Sequence, residues 1–162
     1  MKSLFPMFVK LEGRQVLVVG AGRVGEPKIR GLLSTGAHIR VVALRASEAV
    51  REWARDGEIA LDERGFAPSD LDKMFLVVVA TASRDLNELV FLEAQSRHVL
   101  CNVVDVPEQC DFFYPAVVQR GDLQIAVSTA GQSPSLAQKI RQQLEKQFGP
   151  CLLYTSPSPR DS

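Results

Sequence analysis

Three groups of residues have the types and spacing to do chemistry. The first is Gly20-Ala21-Gly22-Arg23-Val24-Gly25, set directly after the apolar run Val16-Leu17-Val18-Val19. A GxGxxG set that follows a strand and opens a helix has a mechanism. Its first glycine permits a tight turn, its second lets a pyrophosphate approach the backbone, and its third lets helix pack on strand. Free N–H groups at the helix start then favour phosphate. Without a ligand the same residues are only a tight turn. The second group centres on Asp105, which follows the apolar run of residues 100–104. The carboxyl end of a parallel strand is the edge where doubly wound sheets bind ligands, and a carboxylate there can take the proton that accompanies hydride removal. The other reading is a turn-forming aspartate ahead of Val106-Pro107. The third is the loop Ser128-Thr129-Ala130-Gly131-Gln132-Ser133-Pro134, where Ser133 can cap a helix and Pro134 can occupy its first turn. A helix N-terminus of this kind suits an anionic ligand.

Two features depart from the general dinucleotide pattern. Ala43-Leu44-Arg45 stands where an acidic residue would end the second strand and bind the adenosine ribose. Arg45 is read either as a partner for a 2′-phosphate or as a solvated surface arginine, so spacing alone leaves NAD and NADP both open. Pro27 falls inside the expected helix of residues 24–34, where it would remove one backbone bond and kink the first turns.

The elements that must position these groups alternate. Residues 15–19, 39–43, 75–80 and 100–104 read as strands, the first and third as buried runs suited to a parallel sheet. Residues 59–61 form a weaker strand. Helices are expected at 24–34, 50–55 and 86–97, with a turn at 68–73. Strand, helix, strand over about thirty residues is the βαβ unit, so the fold class is α/β, a Rossmann-like doubly wound parallel sheet. After residue 111 the pattern changes. Residues 112–118 and 123–128 read as a hairpin joined through Arg120-Gly121-Asp122, followed by a helix to about Phe148. Leu136, Ile140, Leu144 and Phe148 recur every four residues on one stripe, a packing surface rather than a cofactor box. The expected organisation is a dinucleotide-binding domain at 1–111 and a dimerisation and substrate-loop segment at 112–150. The Ser/Pro-rich tail at 151–162 resembles translated adapter sequence, so the natural sequence is expected to stop near Pro150.

The chain of 162 residues is 46 % apolar and 23 % charged, with 19 basic and 19 acidic side chains. That usage excludes a disordered or fibrous chain and gives no general pull toward nucleic acid or anionic membrane. No apolar run approaches the roughly 18 residues that span a bilayer. The first residues lack a secretory signal, so a cytoplasmic protein is expected. Three cysteines form no CxxC pair and only two histidines occur, which argues against structural zinc. His38 and His98 are expected to cap or pack.

Phe5-Pro6-Met7-Phe8-Val9-Lys10-Leu11-Glu12-Gly13-Arg14 leading into VLVVGAGRVG resembles the start of the siroheme synthase N-terminal module. The likeness continues through Val79-Ala80-Thr81-Ala82, Asn87, Cys101-Asn102-Val103-Val104-Asp105 with Pro107, Phe113-Tyr114-Pro115-Ala116 and the loop at 128–134. It covers residues 3–150, and these motifs in this order are far more specific than the glycines alone. The resemblance implies a precorrin-2 dehydrogenase, often also a sirohydrochlorin ferrochelatase, that oxidises precorrin-2 to sirohydrochlorin with NAD. It places cofactor contacts on Gly20, Ala21, Gly22, Arg23, Val24, Leu44, Arg45 and Thr81, and the catalytic carboxylate on Asp105. Substrate contacts fall on Ser128, Thr129, Gly131 and Ser133. Ferrous iron would enter as a substrate, with no resident metal, and two copies would pair as a homodimer. One departure is Ala130, where the family has a second glycine; alanine restricts that loop if the position needs a positive φ. A different class of function, an NAD(H)-sensing module without catalysis, would use the glycine turn but have no need of Asp105 or the 128–134 loop.

Overall fold

The computed structural model describes residues 2–149; the tail expectation at 151–162 lies outside them. The described residues divide into two compact units, 6–112 and a second comprising 2–5 and 113–149.

The first unit is built on strand β1, Gln15–Ala21, whose residues Val16 to Val19 are at most 2 % exposed. A strand apolar at successive positions must be covered on both faces, and only a central place in a sheet flanked by helices does that. Its neighbours are β2 (His38–Ala46) and β4 (Leu76–Val79), both parallel, with β3 (Ala60–Glu63) outside β2 and β5 (Leu100–Val103) outside β4. The order β3-β2-β1-β4-β5 puts the topological switch point between β1 and β4, and the crevice at the carboxyl ends there is where such sheets bind ligands. Alternation divides the core into two. Val16 and Val18 pack with Ile29 of helix α1 (Gly25–Leu32) and Val50 of α2 (Glu48–Arg55). Leu17 and Val19 pack with Leu71 and with Val90 and Ala94 of α3 (Arg84–Ser96). Each such buried Val, Leu or Ile side chain contributes about 1.5–3 kcal/mol.

α1 starts at Gly25, which puts Pro27 in its first turn, where proline is tolerated; the Glu26 N–H already bonds back to the Gly22 carbonyl, and the following bond, to the Arg23 carbonyl, is the one Pro27 cannot make. Val24 lies outside the helix and is 47 % exposed rather than part of its apolar face. α3 ends with His98 in the left-handed region at φ 57°, and Val99 N–H bonds back to the Ala94 carbonyl. This is helix capping, as expected for that histidine.

In the second unit β6 (Ala116–Arg120) and β7 (Leu123–Val127) pair antiparallel through the turn Gly121-Asp122, with Gly121 at φ 59°. The strand begins only after Pro115, which has no N–H to give a ladder, so residues 112–115 are not strand. α4 (Pro134–Gln147) packs on this hairpin with Ala137 buried and Ile140, Leu144 and Phe148 half-buried. Leu136, expected on that stripe, stays 48 % exposed because Ala137 takes the inward position in the first turn. Arg120 donates to the Phe148 carbonyl at 3.0 Å and to the Glu145 carbonyl at 3.4 Å, capping the end of α4.

Candidate functional site

The glycine turn connects β1 to α1. Gly20 has φ 105°, and a Cβ there would stand 2.3 Å from the Ala80 carbonyl oxygen, just past the end of β4. A Cβ on Gly25 would stand 2.2 Å from the Gly20 carbonyl oxygen. These two glycines let strand, turn and helix touch backbone to backbone. Gly22 differs: a Cβ there would meet nothing within 4 Å and would project into open space. Ala21 is buried at the strand end, whereas Gly22, Arg23 and Val24 are exposed. A turn open over its second glycine, with helix amides behind it, is a fit cradle for a dinucleotide pyrophosphate.

β2 continues beyond the expected strand. A register shift between Val19 and Ala21 of β1 lets Ala46 pair with Ala21 and leaves Leu44 and Arg45 exposed on the bulged stretch. No acidic residue lies on this strand end, yet two carboxylates reach it from elsewhere. Glu63 of β3 accepts from the Ala46 N–H at 3.3 Å and is gripped by Arg51 at 3.1 and 3.0 Å. The hydrogen bonds from Arg51, then the one from Ala46, hold its carboxyl below the usual range against a small desolvation penalty. Glu26 of α1 accepts from the Ser47 hydroxyl at 2.8 Å, while Ser47 caps α2 through the Val50 N–H. Neither was visible as a neighbour of β2, since they stand 17 and 21 residues from their partners.

Past β4, Thr81 is half-buried beside Gly20; its methyl would lie 3.4 Å from a Cβ on that glycine. Past β5 comes Asp105, exposed and at φ 66°. The Val106 N–H bonds to the Val103 carbonyl at 3.1 Å, so Asp105 occupies the third place of a turn, which in type II turns is left-handed. Asp105 makes a turn, and it stands past the carboxyl end of β5. The following loop is tied back to β5. Asn102 donates to the Phe112 carbonyl at 2.7 Å, and Asp111 accepts from the Cys101 N–H at 2.9 Å. The Cys110 thiol donates to the carbonyls of Val103 and Val106, each at 3.2 Å, clipping both ends of the Asp105 turn. Burial pushes this thiol up, and Cys101, fully buried, is pushed up to about 12. Neither is a poised nucleophile. Among the described residues no group of three His, Cys, Asp or Glu could hold a metal, and no helix is long and apolar enough to cross a membrane.

In the second unit, the loop at 128–133 folds on its own hydroxyls. Ser128 accepts from the Ala130 N–H at 3.1 Å, Thr129 from the Ser133 N–H at 3.0 Å, and Ser133 from the Leu136 N–H at 3.3 Å. Ala130 and Gly131 have φ 55° and 78°, and the Gln132 N–H closes the turn on the Thr129 carbonyl. Ala130 is therefore strained, as expected for alanine where a positive φ is required. Because Ser128 and Thr129 act here as acceptors, their O–H protons remain to donate to a carboxylate.

The chain matches the family described as putative NAD(P)-binding over residues 7–116, and the sirohaem biosynthesis protein central family over residues 120–147. Siroheme synthase 1 of Yersinia enterocolitica is 44 % identical over 140 residues, 86 % of this chain and 30 % of that protein. Siroheme synthase 2 of Pectobacterium atrosepticum is 39 % identical over 140 residues, with the same shares. The chain thus spans about 30 % of the length of these curated relatives. The solved structure of SirC, a precorrin-2 dehydrogenase, superposes with a TM-score of 0.82 at 31 % identity, covering 94 % of this chain and 75 % of that one.

Proposed function

The chain belongs to the putative NAD(P)-binding family, and from that premise we propose that it is the dehydrogenase part of a siroheme-forming enzyme, oxidising precorrin-2 to sirohydrochlorin with NAD. The observation that carries this reading is one of placement. The open glycine turn and the Asp105 carboxylate stand at the carboxyl ends of β1 and β5, on the same edge of one sheet. A module that only sensed NAD(H) would have no use for the second.

In this reading residues 20–24 hold the pyrophosphate and its flanking ribose, with Leu44 and Arg45 on one side and Thr81 on the other. Bound NAD supplies the hydride acceptor. Asp105 supplies the base: it accepts the proton that leaves the tetrapyrrole as the hydride departs. Its exposure and its freedom from any hydrogen-bond partner among the described residues leave both oxygens available for that proton. Ser128, Thr129, Gly131 and Ser133 bind substrate carboxylates through hydroxyl protons and amides. Where ferrous iron is inserted as a second substrate, two pyrrolic protons must leave, and the same carboxylate can take them in turn. Exposed Val117 and Leu136 of the second unit support a homodimer, which light scattering would show as twice the chain mass. A monomer would remove that assignment.

Asp105→Asn tests the reading. Asparagine adopts the left-handed backbone at least as readily as aspartate, so the turn survives while charge and basicity are lost. Turnover of precorrin-2, in this chain and in one extended to the length of a siroheme synthase, should fall about 10²–10⁴-fold with NADH affinity unchanged. Wild-type turnover in the variant would place the base elsewhere.

A further inference from the structure

The short connection from β4 to α3, residues 80–83, forms the wall of the crevice opposite the glycine turn, and it has no regular structure of its own. One end is fixed, since the Ala80 N–H bonds to the Val19 carbonyl. The rest is held by Asn87, the fourth residue of α3, which is only 8 % exposed. Its amide nitrogen donates to the Thr81 carbonyl at 3.1 Å, and its amide oxygen accepts from the Thr81 hydroxyl at 2.5 Å. The Thr81 hydroxyl in turn accepts from the Ser83 N–H at 3.2 Å. Both ends of a buried amide are thus spent on one residue, and the Thr81 proton is committed, with the Ser83 carbonyl a distant second acceptor at 3.4 Å. What the turn leaves facing outward is the exposed Ala82, whose N–H makes no hydrogen bond among the described residues.

We propose that Asn87 is a positioning residue for the dinucleotide: it clasps Thr81 against Gly20 and so presents the Ala82 amide to the cofactor, while the Thr81 hydroxyl serves the clasp rather than the ligand. This rests on the NAD-binding reading above. A buried side-chain amide whose nitrogen and oxygen are both hydrogen-bonded is costly to dismantle, because each freed group loses a partner where water is scarce. That cost keeps the turn in one conformation, so the cofactor does not have to order it on binding.

The test is an NADH fluorescence titration of the wild-type chain, Asn87→Ala, Thr81→Val, the double variant, Thr81→Ser and Gly22→Val, with melting temperatures on the same samples. Asn87→Ala and Thr81→Val should each raise the NADH dissociation constant about tenfold, and the double variant should add little, since both break one clasp. Thr81→Ser keeps the hydroxyl and should bind as wild type. Should Asn87→Ala fail to fold, Thr81→Val paired with Thr81→Ser still decides the matter. Wild-type affinity in folded Asn87→Ala overturns the proposal, and so does a loss on Thr81→Val that Asn87→Ala does not share. Full NADH affinity in Gly22→Val would instead sink the glycine-turn reading, and the clasp with it.

Discussion

The three glycines of the turn should separate cleanly under substitution, because the structure assigns them different neighbours. Alanine at Gly20 would set a Cβ 2.3 Å from a backbone oxygen and ask an L-residue to hold φ 105°. Alanine at Gly25 would set one 2.2 Å from the Gly20 carbonyl oxygen. Neither obstacle is the far end of a flexible side chain, so strand and helix must part. Overpacking alone costs about 1–3 kcal/mol, and an unfavourable backbone region adds about as much at Gly20. Against a total stability of about 5–15 kcal/mol, that is a large share. At about 2–4 °C per kcal/mol, a loss near 3 kcal/mol lowers the melting temperature by on the order of 10 °C. Gly22 is the opposite case. Its φ is not in the left-handed region and a Cβ meets nothing, so Gly22→Val should melt within a few degrees of wild type. The valine would nevertheless stand where the pyrophosphate must approach, and NADH binding should be lost. Calorimetry and NADH titration on the three proteins check both halves. A Gly22→Val protein with full NADH affinity, or a Gly25→Ala protein melting with wild type, would refute the assignment of roles.

Ala130→Gly should raise thermal stability by about 0.5–1 kcal/mol, the left-handed strain relieved less the extra freedom glycine has when unfolded; an unchanged or lowered melting temperature would show that the turn tolerates alanine without strain. Asp70, 5 % exposed, is held below the usual carboxylate range first by its hydrogen bonds from Arg64 (2.7 and 3.0 Å) and then, against desolvation, by the Ala67 N–H. A depressed carboxyl stabilises the fold above its unfolded pKa and loses that contribution as pH falls through its folded value. Asp70→Asn should therefore cost about 1–2 kcal/mol at pH 7, discounted for the half-exposed arginine, with the gap to wild type closing below about pH 4. A gap that stays constant to pH 2.5 in denaturant titrations would rule this out.

The central strands were legible because burial on both faces leaves a mark that needs no partner to interpret: β1 and β4 are apolar at every position from 16 to 19 and from 76 to 79. The errors fall where a local rule met a tertiary or boundary condition. Pro27 reads as interior to a helix of residues 24–34, whereas α1 begins at Gly25 and keeps it in the first turn. Residues 112–115 have strand-like composition, but Pro115 cannot join a ladder and the Phe112 carbonyl is taken by Asn102. Leu136 fitted a four-residue repeat that the first turn of α4 does not follow, since the smaller Ala137 is the residue it buries.

For the candidate site, sequence motifs mark the groups that face outward and leave dark those that hold them. Glycines, Asp105 and the hydroxyl loop announce themselves by type and spacing. Glu26, Glu63 and Cys110 do not, because each acts through a partner reached by the fold, and Asn87 stands within the family likeness while its hold on Thr81 is visible only in the fold. Glu63 meets Ala46 across neighbouring strands, and Cys110 meets the carbonyls of Val103 and Val106 only after the loop has returned to β5. The absent acid at the end of β2 shows the difference most clearly. Along the chain, Ala43-Leu44-Arg45 leaves that strand end without negative charge; in the fold, carboxylates from β3 and α1 reach Ala46 and Ser47 on either side of it. Both carboxylates are already ion-paired, Glu63 with Arg51 and Glu26 with Arg30, so they brace the strand end rather than replace the missing acid, and the support of this end of the crevice belongs to the sheet as a whole rather than to its second strand.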